Sequence, residues 1–216
     1  MAKKVAEQLV DTLIEAGVRR IYAVTGDSLN EVNEAVRQNE AMKWIHVRHE
    51  ETGAYAAGAE AQLTGLPGCC AGSSGPGHVH LINGLYDAHR SGAPVIAIAS
   101  TIPTGEFGTE YFQETNTVKL FNDCSFYNEV ATTPEQFPRM LQSALQTATT
   151  RKGVAVVGLP GDLAKKPAVK VESSEQIYPL ASSGLSGRRR PDTAGRDAQS
   201  LRTYHFILRH RLQRGT

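Results

Sequence analysis

The feature that most restricts the fold is an alternation: short strand-like runs, most of them continuously apolar, recur along the chain, each separated from the next by a stretch with helical spacing. The runs are Ile21 to Val24, Trp44 to Val47, Gly68 to Ala71, Val95 to Ala99, Phe126 to Ala131 and Val154 to Leu159. A strand without polar alternation has no face to turn to water, so it must be covered on both sides. Such runs joined by helices predict an α/β fold, a parallel sheet of about six strands with helices on both faces. Val5, Leu9, Leu13 and Ile14 share one face of a first helix, which Gly17 ends. Ser28, with Glu31 three residues on, has the capping-box spacing for a second. Further helices are predicted near Glu50 to Leu63, Val79 to His89 and Pro134 to Thr149, the last with Thr133 as cap, Pro134 at the first helical position and Gln136 at the capping-box position. In an open parallel sheet, ligands sit beyond the carboxyl ends of the strands. Those ends carry Gly26-Asp27, Arg48-His49-Glu50, Ser73 to Gly77 and Ser100 onward.

One of those ends stands out. In VRHEETGAYAAGA, Val47 to Ala59, a charged segment turns directly into a helix built of Gly53, Ala54, Ala56, Ala57, Gly58 and Ala59. Side chains this short let another backbone approach closely, so the helix is expected to be buried. Glu50 and Glu51 open it, and two readings of them stand. Carboxylates at a helix start are favoured by the positive end of the macrodipole, an effect of a few tenths to ~1 kcal/mol. Alternatively, Glu50 is held in an apolar site facing a ligand with a basic nitrogen.

The glycine-rich loop GSSGPG, Gly72 to Gly77, lies between a strand and a helix, a setting in which backbone amides often cradle phosphate. It is not GxGxxG and lacks the Lys-Ser/Thr of a P-loop, so a tight turn explains it equally well. His78 and His80 are two apart and point to different faces of any helix begun there. HEETG fails the HExxH zinc motif because position 53 is glycine. No metal site is predicted. Cys69, Cys70 and Cys124 have neither metal-ligand spacing nor an even count, and read as reduced and structural.

Composition matters at one boundary. The formal net charge is +1, but cutting at Gly184 leaves 8 Lys, 7 Arg and 20 acids before it, −5, and 8 Arg, 2 acids and no Lys after it, +6. Residues 1–183 therefore read as one domain with an exit linker, and 184–216 as an Arg-rich tail, disordered or translated out of frame. A basic arm for phosphates or acidic membrane is the competing reading of Arg188 to Arg190. No run approaches the ~18 apolar residues of a membrane span, and MAKKVAEQLV leads into an amphipathic helix rather than a signal peptide, which predicts a cytoplasmic protein.

Four segments, VTGDSLN (Val24 to Asn30), RHEETGAYAAGAEAQLTG (Arg48 to Gly65), GSSGPGHVHLINGLYDAHRSGAPVIAI (Gly72 to Ile98) and YFQET (Tyr111 to Thr115), resemble the N-terminal, pyrimidine-binding domain of thiamine diphosphate enzymes. Within that family the pattern is most similar to pyruvate oxidase and the quinone-dependent pyruvate dehydrogenase. Acetolactate synthases share the glutamate and the glycine loop. The resemblance covers Met1 to about Leu180.

The resemblance implies that Glu50 is catalytic, hydrogen-bonding a ring nitrogen of the cofactor's aminopyrimidine and stabilising the imino form that deprotonates the thiazolium carbon. Pyruvate would then lose carbon dioxide, with electrons passing to flavin. Gly26, Asp27, Ser74, Gly75, Pro76 and Gly77 would lie near thiamine diphosphate, and Phe112 and Gln113 on the substrate side. Family members are several times longer, and their further domains hold Mg2+ with the diphosphate, and FAD. The chain is therefore expected to be inactive alone and to associate with itself or a partner subunit. No nucleic-acid partner is expected, and peripheral membrane association only of a full-length enzyme. Truncation or a frameshift after about residue 183 accounts for both the missing domains and the arginine-rich end. The alternatives are the pyrimidine-domain subunit of a split decarboxylase and a non-catalytic association module.

Overall fold

The computed structural model describes residues 2–169, so the expectation of a separate Arg-rich tail at 184–216 lies outside the described residues. Six parallel strands form one sheet: β1 (Arg20–Ala23), β2 (Lys43–His46), β3 (Gly68–Gly72), β4 (Val95–Thr101), β5 (Tyr127–Val130) and β6 (Val154–Pro160). Their order across the sheet is β2-β1-β3-β4-β6-β5. The α/β class and the parallel sheet are as the alternation required. Register pairs Ile21 with Trp44, Tyr22 with Cys70, and Val95 with both Gly68 and Val154.

Residue parity divides the core in two. Cys69 and Ala71 of β3, Ile96 and Ile98 of β4, and Ala155, Val157 and Leu159 of β6 face one layer of helices. The intervening Cys70, Val95, Ala97, Ala99, Val154 and Val156 face the other. Successive strand side chains point to opposite faces, and here both faces are dry. The first layer is α1 (Val5–Glu15), α2 (Asn30–Arg37) and α7 (Phe137–Arg151); the second is α3 (Glu50–Thr64) and α5 (Ile82–Arg90). Short helices α4 (Pro76–Val79), α6 (Thr117–Leu120) and α8 (Gly161–Ala164) complete the α-helices of the described residues.

The first helix ends as expected, with Gly17 in the left-handed region at φ 96°. Three local expectations are corrected. Asp27–Leu29 form a 3-10 turn ahead of α2, and Ser28 does not cap that helix; its hydroxyl instead accepts the Ser74 backbone N–H at 2.9 Å. The last long helix begins at Phe137, three residues after Pro134, with Pro138 near its start, while Thr132 and Gln136 bond each other in the preceding turn. The segment predicted as one helix over Val79 to His89 is two, broken at His80-Leu81.

All three cysteines are buried and free. Burial pushes the Cys70 thiol up to about 12 and Cys124 to about 11, which disfavours thiolate and agrees with a structural role. No helix of the described residues is long and apolar enough to cross a membrane.

Candidate functional site

Chain connections reverse direction between β1 and β3: β1 leads outward to β2, whereas β3 leads the other way to β4. In such sheets a crevice opens at this switch, outside the carboxyl ends of the strands. The turn after β1, the start of α3 after β2, and the glycine loop after β3 all meet there. Their contact depends on missing side chains. A Cβ on Gly26 would fall 2.4 Å from the Ser73 Cβ, and one on Gly77 would fall 2.4 Å from the Ser73 hydroxyl and 3.5 Å from Glu50 Oε1. Gly26, Ser73, Gly77 and Glu50 thus form one continuous wall.

Glu50 is the first residue of α3 and is only 8% exposed. Its Oε2 bonds His80 Nδ1 at 3.0 Å. An ionised carboxylate can only accept, so the proton of that bond sits on the imidazole. Oε1 faces Gly77 and has no hydrogen-bond partner among the described residues. His49, in extended backbone at φ −154°, caps α3 by accepting the Glu51 N–H at 3.3 Å. The His49 and His80 rings stack, centroids 4.5 Å apart. Glu51 points elsewhere, accepting from Asn83 Nδ2 at 3.1 Å.

The approach of α3 that sets Glu50 in place follows from its small residues. A Cβ on Gly84 of α5 would lie 2.5 Å from the Ala54 Cβ, so the two helices pack nearly backbone to backbone. The burial expected of this helix is observed at Gly53, Ala54, Ala57 and Gly58, whereas Ala56 is half-buried and Ala59, on the outward side, is exposed.

His78 takes the opposite face of the loop from His80, as their spacing required. It is 1% exposed; Nδ1 lies 2.7 Å from the Ser100 carbonyl, and Nε2 lies 2.6 Å from Thr115 Oγ1. A carbonyl only accepts, so Nδ1 carries the proton and Nε2 accepts from the threonine. Desolvation lowers the His78 pKa from its ordinary value, against a smaller opposing effect of the Ser100 bond. His78 is a neutral brace tying the glycine loop to the end of β4 and to the segment around residue 115.

The other predicted positions divide. Ser74, buried, donates its hydroxyl to Gln113 Oε1 at 3.2 Å, and a Cβ on Gly75 would lie 2.7 Å from the Gln113 Cβ. Gly75 itself has φ 65°, a conformation side chains resist. Gln113 therefore seats on the glycine loop. Pro76 starts α4 on the exposed side. Asp27 is exposed, and its Oδ1 accepts the N–H of Ser28, a turn contact at 2.7 Å. Phe112 is 80% exposed, which rules out ordinary core packing for it in this chain. A cavity of about 680 Å³ lies beneath residues 107–118, lined by His78, Thr101, Tyr111, Gln113 and Thr115; Glu50 is not in its lining. His49, His80 and Ser28 were not singled out from the sequence as site residues. For His80 a signal existed, since the residue two beyond a buried His78 must face the other way.

Residues 3–120 match the family model described as "Thiamine pyrophosphate enzyme, N-terminal TPP binding domain". An uncharacterised 42.6 kDa protein of Pseudomonas amyloderamosa is 56% identical over 161 residues, 74% of this chain and 41% of that protein. Pyruvate oxidase of Lactiplantibacillus plantarum is 40% identical over 148 residues, 68% of this chain and 24% of the oxidase. A chloroplastic acetolactate synthase of Arabidopsis thaliana is 33% identical over 168 residues, 77% of this chain and 25% of the synthase. The chain thus spans less than half the length of each of these relatives.

Proposed function

The chain belongs to the thiamine pyrophosphate enzymes, matching their N-terminal TPP-binding domain, and on that footing we propose that it supplies the pyrimidine half of a thiamine diphosphate site in which Glu50 meets the aminopyrimidine. The observation that carries this reading is a nearly buried carboxylate at the switch point with one oxygen tied to His80 and the other without a hydrogen-bond partner among the described residues. Glu50 holds a proton shared with a ring nitrogen, and in a low-dielectric setting that charge-assisted bond is stronger than in water. His80 fixes the carboxylate's orientation, and the alanine and glycine of α3 keep competing polar groups away. When bound, thiamine diphosphate supplies an electron sink for decarboxylating a 2-keto acid. Ser74, Gly75, Pro76 and Gly77 line the cofactor side, Gly26 supports the wall, and Phe112 and Gln113 face the substrate.

The diphosphate end fits less well. Magnesium takes oxygen ligands, and among the described residues the one cluster of three candidate donors, His49, Glu50 and His80, is two-thirds nitrogen. On this reading Mg2+, the diphosphate and FAD are held by residues of a longer protein or of a partner chain. Within the family, the greater identity to pyruvate oxidase than to acetolactate synthase favours a pyruvate-decarboxylating oxidoreductase as the complete enzyme. A weak, local cofactor contact is the expected behaviour of this chain alone. Titrating isotope-labelled protein with thiamine diphosphate should move the amide resonances of Glu50, Gly77 and His80 at high micromolar to millimolar cofactor, and Glu51→Gln should leave those shifts in place. Shifts confined to the cavity beneath residues 107–118 would refute the assignment.

A further inference from the structure

We propose that His49, Glu50 and His80 form a binding site for one divalent transition-metal ion of the zinc class. One nitrogen of each ring and one oxygen of Glu50 lie within 4.8 Å of one another. Two of these atoms already stand at coordination spacing. His80 Nδ1 is 3.0 Å from Glu50 Oε2, against about 3.3 Å between ligands around a tetrahedral ion with bonds of ~2.0–2.1 Å. The His49 ring lies nearly parallel to that of His80, with 25° between their planes, so both can turn a nitrogen to the same side. His49 is about half exposed, and rotation of its side chain closes the remaining gap.

The donors are held by separate elements that the sheet brings together. His49 and Glu50 open α3 after β2, whereas His80 closes α4, its N–H bonded to the Pro76 carbonyl at 3.0 Å. Two imidazoles and one carboxylate select zinc, cobalt, nickel or copper over magnesium or calcium. Three protein ligands leave a fourth position open to water. The positive end of α3 opposes a cation, but Glu50 and the neighbouring Glu51, whose Oε2 is 3.7 Å from His49 Nδ1, place negative charge against it. The site stands on this geometry whether or not Glu50 meets a thiamine ring. Where it does, an ion on the carboxylate and a ring on the same carboxylate exclude each other, a consequence that rests on the function proposed above.

The test uses the full chain stripped with chelator. Zn2+ is titrated by calorimetry, and Co2+ by visible absorption, which reports low coordination number directly. One ion per chain is expected, with Mg2+ giving no heat. Glu50→Gln, His80→Ala and the exposed His49→Ala should each weaken binding by about tenfold or more, with circular dichroism verifying the fold. Replacing His205 and His210 together by alanine, far along the chain, should leave affinity unchanged. Zn2+ binding that survives both His80→Ala and His49→Ala in folded protein, or that disappears with His205 and His210, overturns the proposal, as does failure of either ion to bind below millimolar concentration. Loss of zinc binding with intact thiamine-induced shifts, or the reverse, separates this site from the cofactor reading.

Discussion

On one face of the sheet, α1, α2 and α7 deliver Leu9, Leu13, Val32, Phe137 and Leu141, all fully buried; on the other, α3 and α5 deliver Ala54, Ala57, Ala61 and Ala88, with Leu85 as the one long side chain fully buried in those two helices. Burying a leucine or phenylalanine contributes ~1.5–3 kcal/mol, and an alanine methyl far less. The large-residue face therefore supplies most of the hydrophobic stabilisation. What the small-residue face gains is proximity: α3 comes so close to α5 and to the sheet that its first residue, Glu50, reaches the glycine loop from beneath. Stability and site placement are divided between the two faces, and substitutions should separate them.

The largest effect is expected at Phe137→Ala, which empties a fully buried ring position on the large-residue face. Denaturant unfolding should show a loss of ~3–5 kcal/mol, while the Glu50 amide resonance stays in place. Gly84→Ala should cost less, about 1–3 kcal/mol, because it overpacks rather than hollows the interior. The new methyl would meet Ala54 at 2.5 Å, so α3 must shift. Unlike Phe137→Ala, it should move the resonances of Glu50 and His80. A Gly84 variant that leaves both unmoved would show that the close approach of α3 to α5 does not place Glu50.

A smaller, pH-dependent effect is expected at the His78 brace of the glycine loop. Burial lowers the His78 pKa, so between that lowered value and the ordinary 6.5 the unfolded chain binds more protons than the folded one. Stability should therefore decline as pH falls below about 6.5 and level off once the folded state also protonates. His78→Gln should flatten that part of the pH profile. The smallest effect belongs to Leu63→Gln, on the outward side of α3 and 88% exposed, where a change within about ±0.5 kcal/mol is expected.

Sequence period and composition carried the sheet far: the central strands β3, β4 and β6 were legible as apolar runs because they are buried on both faces, whereas the edge strands β2 and β5 carry polar residues. Tyr127–Val130 is shorter by one residue at each end than the run that marked it. Helix starts were less legible. Ser28 has the right neighbour at Glu31 for a cap, yet a backbone group 46 positions away claims its hydroxyl. Thr133 and Pro134 form a start signal that Pro138 repeats four residues on, and local rules cannot choose between them. That Glu50 opens a close-packed helix was legible from the alanines and glycines after it, while its role came only from the family resemblance. Its pairing with His80 was not legible, because that depends on where α4 breaks, and the break follows from tertiary packing of the glycine loop against Gln113 and Glu50.

The most direct measurement compares Glu50→Gln with Glu51→Gln in an enzyme completed by fusion to, or complementation with, the missing domains. The two residues point about 100° apart on α3, and Glu51 bonds Asn83 rather than facing Gly77. Exchange of the cofactor's thiazolium proton is the readout. Glu50→Gln should slow it by about a hundredfold to a thousandfold, with cofactor affinity far less affected, and Glu51→Gln should leave it near the parent rate. If Glu51→Gln is the crippled variant, or if both exchange at the parent rate, Glu50 is not the carboxylate that meets the cofactor.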